Sequence, residues 1–112
     1  MLWSKELDRF FSLEELAGEL VEEISSYRPA RDQDAPASFR TRFEALERAA
    51  GRFSRYQGVR SAILDLHNTI GRMYVSKRDC DGDERAIRDE LGPAFLGLLS
   101  ACDQVLGRAR VP

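Results

Sequence analysis

The segment Val59-Arg60-Ser61-Ala62-Ile63-Leu64-Asp65-Leu66-His67-Asn68-Thr69-Ile70-Gly71-Arg72-Met73 decides how this chain folds. Val59, Ile63, Leu66, Ile70 and Met73 recur in steps of four and three, which returns them to one side of a helix that turns once every 3.6 residues. The spacing predicts a helix running to about Lys77. Immediately upstream, Phe39, Phe43, Leu46, Ala50 and Phe53 repeat the pattern from Ser38 onward, with Gly58 expected to close that helix as its C-terminal cap. Only a tight turn then separates the two helices, so they are expected to pack antiparallel.

The same periodicity extends to both ends of the chain. Trp3, Leu7 and Phe10, continued by Leu13, Leu16, Leu20, Ile24 and Tyr27, form an amphipathic stripe that ends before Pro29. Ser12 and Glu15 have the spacing of a capping box, with Phe11 and Leu16 placed as a hydrophobic staple. The first helix therefore either runs through Ser12 or breaks and restarts there. Residues 28–38 hold two prolines and no large apolar side chain and read as the one substantial loop. After Asp79-Cys80-Asp81-Gly82-Asp83, the Asp81–Glu84 pair again has capping spacing. Ile87, Leu91, Phe95, Leu98, Cys102 and Val105 then form a last stripe, closed by Gly107 and predicted to kink at Pro93. No stretch alternates with period two. The expected fold is all-α, an antiparallel up-and-down four-helix bundle in which residues 1–112 make a single domain.

Composition agrees with one soluble core: 43% of the 112 residues are hydrophobic and 32% charged. No apolar run approaches the ~18 residues a membrane helix needs, and the opening Met1-Leu2-Trp3-Ser4-Lys5-Glu6 lacks the order of a signal peptide, so a cytoplasmic chain without membrane contact is expected. Cys80 and Cys102 are expected as free thiols. With one histidine and no closely spaced cysteines, the ligand set of a zinc site is missing, and no haem or flavin motif is visible. The expected cofactors and metals are none. Residues 1–27 carry 2 basic and 7 acidic side chains, residues 28–78 carry 11 and 5, and residues 79–112 carry 4 and 7. Oppositely charged helices packed as neighbours account for that asymmetry.

Asp65-Leu66-His67-Asn68-Thr69-Ile70-Gly71 resembles the phosphoacceptor segment of one class of bacterial sensor histidine kinases. It also looks like histidine phosphotransfer domains, helical bundles of about this size with glycine four residues after the histidine. Asn68 stands where those kinases carry an acidic residue, and Ile70 where phosphotransfer domains carry lysine. The resemblance implies His67 as phosphoacceptor, exposed on a rigid helix beside Gly71. Arg60 and His67 also resemble, in their loose spacing, the pair used by a family of helical-bundle ribonucleases. There the histidine acts as acid and base and the arginine holds phosphate.

Asp79, Asp81, Asp83 and Glu90 take the first, third, fifth and twelfth places of a calcium loop, but Glu84 occupies the sixth, where such a loop turns on glycine. Helix stop and restart explains the cluster. Arg48, Arg52 and Arg55, with Arg40, line the face opposite the phenylalanines of their helix, a stripe suited either to a phosphate backbone or to the acidic first helix through Glu15, Glu19, Glu22 and Glu23. No serine, cysteine or acid pair has the spacing of a catalytic motif. The sequence thus reads as a non-enzymatic module for protein–protein interaction or self-association, with Trp3, Arg48, Arg52 and Arg55 as contact residues. Histidine phosphotransfer is the first alternative, and a ribonuclease or nucleic-acid-binding protein the next. His67, beside its stripe rather than in it, is expected to be at least partly exposed.

Overall fold

Residues 4–27, 35–79 and 83–107 are described by the computed structural model. They form four α-helices and no strand: α1 Ser4–Ser26, α2 Ala37–Arg52, α3 Gln57–Asp79 and α4 Glu84–Leu106. Contacts between helices fix their directions. Arg42 reaches Glu19 and Glu23 near the end of α1, whereas Arg55, just past α2, lies near Glu6 at its start. Phe39 meets Tyr74 and Phe43 meets His67, so α2 and α3 also run oppositely. Arg72 pairs with Glu90 across the turn to α4, and Phe95 packs against Gly18 of α1. Helices α1 and α3 meet across the diagonal, while α2 and α4 bring no Cα pair within 8 Å of each other. The result is an up-and-down four-helix bundle.

Of the two readings of α1, the structure takes the unbroken one, and Ser12 sits exposed in mid-helix. A restart there would need non-helical dihedrals between Phe10 and Leu13, both of which are buried on one face of the continuous helix. The end of α2 differs from the sequence reading. It stops at Arg52, and Gly58 belongs instead to the first turn of α3. Phe53 leaves the helix at φ −103° with its N–H still on the Ala49 carbonyl, and the Tyr56 N–H donates to the Phe53 carbonyl at 2.9 Å. The rings of Phe53 and Tyr56 both meet Phe10 edge-on, at 4.9 and 5.4 Å between centroids. Burying this aromatic trio sets the reversal ahead of the glycine.

Helix α4 runs from Glu84 to Leu106 with Pro93 inside it on an exposed position, so the carbonyl that Pro93 cannot bond to faces the solvent side. Gly107 ends it in the left-handed region at φ 69°, with its N–H on the Asp103 carbonyl. Asp81, expected to cap with Glu84, lies with Cys80 outside the described residues. The core is the set of stripes brought together: Phe10, Leu20, Ile24, Leu46, Ile63, Leu66, Ile70, Met73 and Leu98 are almost wholly buried. Each such aliphatic or aromatic side chain contributes about 1.5–3 kcal/mol of transfer free energy. Among the described residues, no helix is long and apolar enough to cross a membrane.

Candidate functional site

His67 lies on the α2 side of α3. Its ring stacks on Phe43 with centroids 3.9 Å apart and planes 16° from parallel. Phe43 can lie this low because residue 71 is glycine: a Cβ there would come within 3.2 Å of the Phe43 Cζ. The His67 side chain is 19% exposed, but its Nε2 is closed off from solvent and has no hydrogen-bond partner among the described residues. The nearest carboxylate oxygen, Oε2 of Glu47, is 3.8 Å from it, beyond hydrogen-bond reach. Desolvation pushes the imidazole below its ordinary 6.5, and Glu47 opposes this only in part. His67 is therefore a neutral ring at neutral pH, capped by an aromatic neighbour.

This geometry bears on both histidine chemistries. Phosphoryl transfer to Nε2 requires open approach to that atom, and here Nε2 is closed off from solvent. Arg60 is exposed on the same side of α3, but seven residues away it stands roughly 10 Å along the axis. The two are aligned by helix register and not brought into contact.

A titration experiment reads the arrangement directly. The folded pKa of His67 lies below its unfolded value, so as pH falls below about 6.5 the unfolded chain takes up a proton that the folded chain resists. This group's contribution to stability is present above that pH and lost as pH falls toward the lowered folded value. Unfolding midpoints measured against pH should show this loss in the parent and not in His67→Phe, which retains a stacked ring. An identical acid slope in both would disprove the assignment.

The acidic turn does not converge among the described residues. Asp79 accepts from Arg78 at 3.1 Å, and Glu90 is engaged by Arg72 at 2.6 Å on the side of the bundle. Asp81 and Trp3 lie outside the described residues. No group of three potential metal ligands occurs among the described residues.

The arginine stripe separates into two parts. Arg42, which the sequence reading passed over, supplies the link to α1, at 3.4 Å from Glu19 and 2.9 Å from Glu23. Arg55 is 79% exposed, 3.8 Å from Glu6 and beside the ring of Tyr56. Arg48 and Arg52 are exposed and have no ion-pair partner among the described residues. Arg48 stands one turn before Arg52 on α2, and Arg52 borders a groove of about 600 Å³ between α1 and α2. Its floor is Leu13, Leu16, Ala45, Ala49 and Phe53, and the exposed Asp8, Arg9, Ser12 and Arg52 stand at its edges. The opening follows from side-chain size: α2 turns Ala45 and Ala49 toward α1 where longer side chains would close the seam. At ~100° per residue Arg48 lies outward of both alanines, on the side of α2 that carries Arg52. A second, shallower depression lies over α3, bounded by Phe43, His67, Arg72 and Ile87.

Sequence reasoning named Arg48, Arg52 and Arg55 but missed the groove. The signal for it was the pair of alanines at 45 and 49, one turn apart and flanking Arg48. No protein-family model, no curated protein and no solved structure matches this chain.

Proposed function

We propose that the protein is a non-enzymatic binding module whose α1–α2 groove receives an apolar ridge, flanked by carboxylates, on the helix of a protein partner. The observation that carries this reading is an apolar floor edged on α2 by Arg52, with Arg48 exposed one turn before it and both without an ion-pair partner among the described residues. Leu13, Leu16, Ala45 and Ala49 offer burial to inserted leucine-like side chains, and Arg48 and Arg52 offer bidentate partners to acids beside them. Charged residues at such a rim choose the partner more than they add affinity. The open rim also supports a protein ligand over a small molecule, since none of the described residues covers the groove from above.

Titration with a model helical peptide carrying a leucine stripe flanked by glutamates tests the reading, followed by amide chemical shifts. The expected result is a set of shifts confined to Leu13, Leu16, Ala45, Ala49 and Arg52. Arg48→Glu combined with Arg52→Glu should weaken binding by about tenfold or more, near 1.4 kcal/mol. A peptide with lysines in place of glutamates should bind the parent correspondingly worse. Shifts scattered elsewhere, or equal binding of the two peptides, would overturn the reading.

A further inference from the structure

Between Leu91 and Cys102 no residue is charged, in a chain of which 32% is. Part of that run is core, but Gly92, Pro93, Leu96, Gly97 and Ser100 are exposed. Solvent-facing helix positions in this chain otherwise carry many charges, so three uncharged turns call for a partner. Leu96 is 62% exposed, more than Phe11, Leu64 or Val75. At ~100° per residue, Asp89, Pro93, Leu96 and Ser100 fall within a narrow arc of α4. Asp89 has no ion-pair partner among the described residues. The outer face of α4 is thus an apolar knob with a carboxylate two turns before it.

That description matches the ligand the α1–α2 groove asks for. We propose that the groove's occupant is a second copy of this chain, Leu96 of one molecule entering the groove of the next and Asp89 approaching Arg48 and Arg52. The proposal rests on the groove reading above and supplies its partner. On the other lip, Asp8 and Arg9 add no net charge, so Arg52 sets the sign of the groove lining, with the exposed Arg48 one turn before it adding to the same charge. Of the arginines that precede the knob, Arg88 is held within α4 by Glu84 at 2.7 Å, and Arg85 lies one turn before Asp89. Knob and groove lie on different parts of the bundle, since α4 does not reach α2. The contact is therefore heterologous: each added copy leaves one knob and one groove open, and growth continues until a ring closes or a filament forms.

Sedimentation velocity on the full chain, over a range of concentrations, tests this with two variants. Leu96→Glu removes the knob and keeps the groove, while Ala45→Trp fills the groove and keeps the knob. The parent is expected to grow in mass with concentration, and each variant alone to stay monomeric. An equimolar mixture of the two should form a dimer and nothing larger, because one intact knob and one intact groove remain. Should Ala45→Trp fail to fold by circular dichroism, Arg48→Glu combined with Arg52→Glu takes its place. A parent that stays monomeric throughout, a single variant that still assembles, or a mixture that stays monomeric overturns the self-docking. Continued binding of the acidic leucine peptide by a monomeric parent would sink this inference alone and leave the groove reading standing.

Discussion

Leu66→Ala is expected to lower the free energy of unfolding by about 2–5 kcal/mol, and Leu98→Ala by a similar amount. Leu66 is completely buried at the middle of α3, which touches all three other helices, and Leu98 is completely buried on α4. Removing either leaves a void whose walls belong to several rigid helices, so collapse recovers little of the lost contact. In a domain of this size each kcal/mol moves the melting temperature by about 4 °C or more. Phe43→Ala belongs at the lower end, about 2 kcal/mol, because Phe43 is only half-buried and leans over Gly71 and His67. Chemical denaturation of the three variants checks the order. A loss near zero for Leu66 and Leu98 would mean that the helix faces are wrongly assigned.

Those faces were legible in the sequence because helical periodicity needs only the spacing of large apolar side chains. The stripes through Leu20, Leu46, Leu66 and Leu98 all turn inward together. Helix ends were less legible. Gly58 carries a local preference for a cap, but Phe53 and Tyr56 find Phe10 from a remote helix, and that packing is invisible in a local window. His67 lies beside its stripe and is 19% exposed, yet its ring is stacked on Phe43 of a different helix, a contact that no local window shows. The groove was hidden for a similar reason. Two alanines can mean close helix packing or an open seam, and the distance between α1 and α2 decides which. On α4 the missing charges were plain from Leu91 to Cys102, but periodicity counted the same residues as core and gave no weight to what the outward positions lacked.

Lys77→Met should destabilise the fold by about 2–4 kcal/mol, far more than the loss of any surface ion pair here. The four-three step of α3 passes from Met73 to residue 77, where a charged side chain stands in a core register at 5% exposure. Its Nζ donates to the carbonyl oxygens of Ile24, of Ser25 at 3.1 Å and of Tyr27 at 3.0 Å, all at the end of α1. A helix leaves its last carbonyls without internal partners, and α1 has no basic residue of its own in its last turn. An ammonium from α3 therefore closes α1, with the favourable sign for the negative end of the helix dipole. Methionine keeps the stem and its packing but leaves those oxygens facing an apolar thioether. By contrast Arg72 and Glu90, although 2.6 Å apart, are 46% and 50% exposed, and an exposed pair of that kind is worth about 0–1 kcal/mol. Two measurements separate the cases. The Lys77→Met loss should persist in high salt, where Arg72→Met shows little loss at all, and hydrogen exchange should quicken at Ser25, Ser26 and Tyr27 as the end of α1 frays. A cost for Lys77→Met below about 0.5 kcal/mol, with unchanged exchange at those three amides, would show that the buried ammonium does not hold the end of α1.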